Sequence, residues 1–301
     1  MLEVRLCGIE LKNPVLAASG TFGYGVEFAG QFDLHALGGL VVKGLSREPI
    51  EGNAPPRVWE AEAGMINSVG LQNMGVRAFV REKLPALAGL RTAVFANVFG
   101  ERPEDYVEVV RVLEDHAGLA GYELNVSCPN TSCGGIYFSS DPVILGALVT
   151  AVKQVARRPV MVKLSPNVSA IEPLARAAEE AGADAISLVN TFIALAIDPI
   201  TRRPRLGNGF GGLSGPAIKP IALRFVCQAA RAVKIPVVGL GGIASGVDAA
   251  EFLIAGATAV EVGTATFWDP GSPLRIAQEL GQFLKKQKIA RASDLTGTLK
   301  M

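Results

Sequence analysis

Gly121-Tyr122-Glu123-Leu124-Asn125-Val126-Ser127-Cys128-Pro129-Asn130 is the stretch whose reading decides the architecture. Leu124 and Val126 alternate with Asn125 and Ser127, which predicts a buried strand over residues 122–127 that sends an amide and a hydroxyl to one face. Pro129 stops the ladder just past Cys128. A lone cysteine is ordinarily a small buried hydrophobe. Placed among amides at a strand's C-terminal end, Cys128 becomes a candidate reactive thiol. Seven more apolar runs of this kind lie along the chain, at residues 14–20, 39–44, 93–98, 160–165, 185–190, 237–241 and 259–263.

Helical patterns separate these runs. Pro103 opens one helix with Tyr106, Val109, Val110 and Leu113 on one face. Ser169 with Glu172 predicts a capping box for another, with Ile171, Leu174, Ala175 and Ala178 on its apolar side, and Gly182 and Gly256 fit helix stops. A hairpin over residues 3–7 and 9–12 precedes the first run. Eight strand–helix units without linker, repeat or low-complexity segment predict an α/β fold, a closed (β/α)8 TIM barrel forming one domain over residues 1–301. An open, doubly wound sheet is the alternative. Residues 45–73 after the second strand and 191–215 after the sixth exceed ordinary connections. Both follow strand C-termini, where barrel enzymes keep their active sites, and they are read as a substrate loop and a lid.

Composition narrows the partners. The 301 residues carry 29 basic and 28 acidic side chains, with 49% hydrophobic and only 19% charged. That balance supports a large core and gives no reason to expect nucleic acid or an anionic membrane, which leaves small molecules. Charges at Glu3 and Arg5 interrupt any signal-peptide segment and no window reaches membrane-spanning length, so the expectation is a cytoplasmic protein. Cys7, Cys128, Cys133 and Cys227 include no C-x-x-C pair, so free thiols and no metal site are expected.

Strand ends carry the chemistry. Lys43 and Lys163 each close an otherwise apolar run, and a buried ammonium is costly without an anion. Snorkelling to solvent explains one such lysine; two at matching positions point to a common anionic ligand. Asn67, Asn97, Asn125, Asn130 and Asn190 form a set of amides suited to a planar, carboxylate-bearing amide heterocycle. Turn formation accounts better for Asn73 and Asn130. His35 and His116 fall in predicted helices and no strand end presents paired carboxylates, so metal-dependent hydrolysis and glycoside hydrolysis lack their groups. Redox chemistry would then need a cofactor. Its phosphate has a candidate seat where the seventh strand runs into Gly239-Leu240-Gly241-Gly242 and the eighth into Gly263-Thr264, although tight helix-entry turns read the same way. Gly239-x-Gly241-x-x-Ala244 with Glu261 matches a relaxed dinucleotide fingerprint, but it sits in the seventh unit instead of opening a βαβ domain and is discounted.

Three segments spell out a family. Asn67-Ser68-Val69-Gly70-Leu71-Gln72-Asn73, Asn125-Val126-Ser127-Cys128-Pro129-Asn130 and Gly207-Asn208-Gly209 through Gly212-Leu213-Ser214-Gly215-Pro216 resemble dihydroorotate dehydrogenase across nearly the whole chain. Cysteine in the Ser-Cys-Pro-Asn segment resembles the soluble class, and the segment from Asn190 to Gly215 is similar to the NAD-linked subclass. Ala194 and Thr131-Ser132-Cys133 depart from that subclass's pattern. The resemblance implies FMN on this chain and a partner subunit carrying FAD and a [2Fe–2S] cluster, around a homodimeric core. It implies Cys128 as the base that takes a proton from C5 of dihydroorotate while C6 delivers a hydride to flavin N5. Lys43, Asn67, Gly70, Leu71, Asn125, Asn190 and Thr191 would contact dihydroorotate or orotate. Ser19, Gly20, Lys43, Gly44, Asn97, Asn125, Lys163, Gly215, Gly241, Gly242, Gly263 and Thr264 would hold FMN.

The competing readings are a fumarate-linked enzyme of the same family, a barrel resembling dihydropyrimidine dehydrogenase, a Schiff-base aldolase using Lys163, and a non-catalytic docking barrel.

Overall fold

The computed structural model describes residues 1–126 and 138–301. Cys128, Asn130 and Cys133 lie outside the described residues. The chain opens with a hairpin, β1 (Val4–Leu6) antiparallel to β2 (Ile9–Leu11). Its two turn residues, Cys7 and Gly8, take positive φ of 51° and 81°, as a two-residue type I′ turn requires.

Eight parallel strands then close on themselves. In chain order they are β3 (Val15–Ala17), β4 (Gly39–Leu45), β7 (Ala93–Val98), β8 (Gly121–Asn125), β9 (Val160–Lys163), β10 (Ala185–Leu188), β15 (Val237–Leu240) and β16 (Ala259–Val262), each beside the next. β16 pairs with β3 in the register Val260↔Val15, which closes the barrel and excludes the open sheet. The strands are apolar almost throughout because helices cover them outside while side chains fill them inside. Val41, Val42, Val160 and Val162 are all without solvent exposure.

Helices flank the strands as the punctuation predicts. Pro103–Glu114 buries Tyr106, Val109, Val110 and Leu113. The helix Pro142–Lys153 is capped by Asp141, whose carboxylate accepts from the N–H groups of Val143 and Ile144. Gly182 and Gly256 follow helix ends with φ of 92° and 122°. The predicted capping box is not formed. The helix Glu172–Glu180 begins after Ile171 with no side-chain cap, because the Glu172 carboxylate instead accepts from Gln228 Nε2 at 3.2 Å. Neither histidine lies in an α-helix: His35 sits in the 3-10 turn Leu34–Ala36, and His116 follows the end of Pro103–Glu114.

The two long connections are not independent loops. The first folds into β5 (Val58–Ala61) and β6 (Gly64–Asn67); the second contains β11 (Phe192–Ala194), β12 (Ile197–Asp198), β13 (Arg203–Pro204) and β14 (Gly211–Ser214). Together they build one four-stranded sheet in the order β11-β14-β6-β5. β14 is its joint, pairing with β6 in the register Gly212↔Asn67 and with β11 as Phe192↔Leu213. Arg205 lies 4.4 Å over the Trp59 ring, a second tie between the two segments.

Candidate active site

The C-terminal ends of the eight strands and the added sheet enclose a cavity of about 1250 Å³ including its open mouth. Every predicted site residue among the described ones lines it. Ser19 and Gly20 follow β3, Lys43 and Gly44 end β4, and Asn97, Asn125 and Lys163 come from β7, β8 and β9. Asn190 and Thr191 follow β10, while Asn67 ends β6 with Gly70 and Leu71 just beyond. Gly215, Gly241 and Gly242, and Gly263 and Thr264 follow β14, β15 and β16.

The amides are held by one another and by the backbone. Asn190 Nδ2 donates to Asn125 Oδ1 at 3.3 Å, and the Thr191 N–H donates to Asn190 Oδ1 at 2.8 Å. Asn67 Nδ2 donates to the Gly212 carbonyl at 3.4 Å, so a cavity-lining amide of the first long connection is oriented by the second. Asn167, which the sequence did not single out, donates through Nδ2 to the Thr191 carbonyl at 2.9 Å and accepts from the Ile193 N–H at 2.9 Å. It fixes the start of β11.

The two strand-end lysines differ, which corrects the expectation of one shared anionic ligand. Lys163 is buried, and its Nζ meets Glu123 Oε1 at 3.2 Å and Glu261 Oε2 at 3.4 Å. Burial opposes the charge, but the two carboxylates outweigh it and push the ammonium's pKa up. Such a lysine is held as a cation, so it lacks the neutral amine that a Schiff-base aldolase needs. Lys43, half-buried, has no carboxylate partner among the described residues; desolvation first, and then the charge of Arg57, pull its pKa down. A cation in that setting calls for an anion from outside the chain. Glu123 and Glu261 had a legible signal, since a carboxylate amid an apolar strand must find a partner.

The glycine loops form a cradle. Gly215, Gly241 and Gly242 take φ of 98°, 122° and 84°, conformations that a side chain resists. A Cβ on Gly242 would come within 2.7 Å of the Gly215 carbonyl oxygen. The backbone N–H groups of Gly241, Gly242 and Gly263 have no hydrogen-bond partner among the described residues. The nearby helix Gly246–Ala255 does not compete for an anion, because the carboxylate of its own Asp248 accepts from the Ala244 N–H and from Ser245. Asn97 Oδ1 is buried without a donor and faces Gly44, where a Cβ would approach it to 2.9 Å.

Among the described residues no cluster of metal-ligating side chains occurs and no helix is long and apolar enough to cross a membrane. Fold and cavity together define a (β/α)8 barrel with a polar, amide-lined cavity at the C-terminal face of its strands, where barrel enzymes keep their sites. The dihydroorotate dehydrogenase family profile matches residues 1–284, and the chain belongs to that family of oxidoreductases. A relative from Solibacter usitatus, named "Putative dihydroorotate dehydrogenase A (fumarate)", is 80% identical over 299 residues, covering 99% of this chain and 98% of the relative. Relatives from Pelobacter propionicus and Citrifermentans bemidjiense, both named "Dihydroorotate dehydrogenase B (NAD(+)), catalytic subunit", are 50% and 51% identical, over 99% and 100% of this chain and 98% of each relative.

Proposed function

We propose that the chain oxidises (S)-dihydroorotate to orotate on a bound FMN, a step of de novo pyrimidine (UMP) synthesis. The observation that carries this reading is the contrast between the lysines. Lys163 already has two carboxylates, whereas Lys43 holds an unmatched charge on the wall of an amide-lined cavity, where a flat acid supplies the anion. Lys43, Asn67, Asn125 and Asn190 then bind the acid and its ring amides, with Gly70, Leu71 and Thr191 shaping the pocket around them.

The residues present fit FMN. The N–H groups at Gly215, Gly241, Gly242, Gly263 and Thr264 would receive its phosphate, and Ser19, Gly20, Gly44, Asn97 and Lys163 would surround the ring system. FMN, when bound, accepts the hydride that leaves C6 of the substrate. Cys128 takes the proton from C5, so the substrate loses a proton and a hydride and gains the C5=C6 double bond. A free thiol ionises near about 8.5, so the reacting thiolate is a minor form at neutral pH unless the site lowers that value.

Electrons leave by way of a second subunit carrying FAD and a [2Fe–2S] cluster and reach NAD, with two copies of this chain at the core of a cytoplasmic heterotetramer; the names of the relatives near 50% identity support this relay. A second reading, direct transfer to fumarate, is favoured by the name of the 80% identical relative. The absorbance spectrum of the purified chain tests the core of the proposal: a flavin band should be present and should bleach with dihydroorotate. Reoxidation by fumarate alone, against reoxidation by NAD only with a partner subunit, separates the two acceptors. A protein that takes up no FMN on reconstitution would overturn the reading.

A further inference from the structure

The eight barrel strands contain only four charged side chains, Lys43, Glu123, Lys163 and Glu261. Three of them meet inside the barrel. Glu123 comes from β8 and Glu261 from β16, the strand diametrically opposite in the closed order, and Lys163 of β9 reaches both. Both carboxylates are fully buried, so two anions face one cation, and the fourth charged side chain, Lys43, forms no ion pair with them. A net charge left in such a setting is strongly unfavourable, and two nearby carboxylates avoid it by keeping one proton. The hydrogen bonds say where. Glu123 Oε1 receives both the Lys163 ammonium and Asn97 Nδ2, the latter at 3.0 Å, whereas Glu261 receives only the lysine at the longer distance. Each carboxylate keeps one oxygen without a partner among the described residues, Glu123 Oε2 and Glu261 Oε1, so the Asn97 donation and the shorter lysine contact make Glu123 the better-solvated anion.

Resting on the flavin-barrel reading above, we propose that Glu123 and Glu261 are positioning residues that share one proton, carried on Glu261, and so hold the Lys163 ammonium charged and in place on the wall of the cavity that would take the flavin. The arrangement leaves this part of the cavity wall neutral overall while keeping a cation there that would stabilise the negative charge of a reduced flavin. Burial and the neighbouring Glu123 charge, which together hold the Glu261 carboxyl protonated, agree with the geometry.

Infrared spectroscopy of the protein without flavin tests the proton directly. Wild type at neutral pH should show the C=O stretch of a protonated buried carboxyl, and Glu261→Gln and Glu123→Gln should each lose it, since the remaining carboxylate then pairs with Lys163 as an anion. At neutral pH Glu261→Gln, which keeps the charge pattern, should melt no lower than wild type and keep its FMN affinity; Glu123→Gln should melt lower because Asn97 and Lys163 then meet a neutral amide in place of the carboxylate that receives both. With flavin bound, Glu123→Gln/Glu261→Gln leaves Lys163 unpaired, so the FMN midpoint potential should acquire an ionisation near neutral pH that wild type lacks. Below it the potential should lie higher, by about 30 mV for each tenfold gain in relative affinity for the reduced form. No carboxyl band in wild type, or a Glu261→Gln variant destabilised as much as Glu123→Gln, overturns the proposal even if FMN binds. A carboxyl band in a protein that never takes up FMN defeats the flavin reading and leaves the shared proton standing.

Discussion

Lys163 Nζ and Glu261 Oε2 stand 3.4 Å apart although their strands, β9 and β16, are separated on the barrel wall by β10 and β15. The contact crosses the interior, and its protonation is a folding property. Glu261 holds its proton up to about 8, chiefly through burial and then through the charge of Glu123, whereas the ordinary carboxyl value is 4.5. Between those values the unfolded chain binds one proton fewer than the folded one. Stability is therefore level below the lower value and falls as pH rises through the window, by on the order of 1 kcal/mol per pH unit. Urea unfolding at a series of pH values should show that slope in wild type and not in Glu261→Gln. Equal slopes in the two proteins would refute the assignment.

Lys43 predicts the opposite kind of behaviour. Its ammonium has no carboxylate partner among the described residues, so Lys43→Met should leave thermal stability unchanged or raise it slightly. Orotate binding should weaken by about 1.5–3 kcal/mol, the range for a hydrogen bond to a charged group. Calorimetric titration with orotate checks this, and wild-type affinity in the variant would show that the lysine does not meet the acid.

Gly242→Ala should empty the flavin site while sparing the barrel. The residue has φ of 84°, and the added methyl would crowd the Gly215 carbonyl at 2.7 Å and the Lys219 side chain at 2.9 Å, so the cradle must open. The expected outcome is loss of the yellow band on gel filtration with far-UV circular dichroism unchanged. Full flavin occupancy would place the phosphate elsewhere.

Cys128→Ala separates chemistry from binding. Flavin bleaching by dihydroorotate in stopped flow should slow roughly 10²–10⁴-fold, the usual contribution of a positioned base, with FMN retained. In wild type the same rate should climb with pH as the thiolate fraction grows. A variant as fast as wild type would remove Cys128 from the mechanism.

The barrel was legible because its signal is local and repeated. Apolar runs such as Gly39–Leu45 and Val160–Lys163 carry a polar or glycine residue at or near their C-terminal ends, which the closed sheet brings to one face, so strand ends named one by one arrive together. Long-range partners were not legible. Lys163 reads identically whether it awaits a ligand or meets Glu123 and Glu261, because Glu261 lies 98 positions away in sequence. Ser169 and Glu172 satisfy a local capping rule, yet Gln228 from the following helix claims the carboxylate. The two long connections likewise carry no sign of pairing with each other, since strands as short as Gly211–Ser214 are stabilised by partners far along the chain.

That pairing has a consequence for how the protein can be divided. Asn67 and Gly212 come from opposite halves of the barrel, 145 positions apart, and meet in one sheet over the mouth. A fragment ending before β9 would carry Lys43 and Asn67 without the strand that orients the Asn67 amide, and the complementary fragment would carry β14 with nothing to cover. Cut between its halves, the chain yields two pieces that each lack a roof, and only their reassociation restores a pocket able to choose its acid.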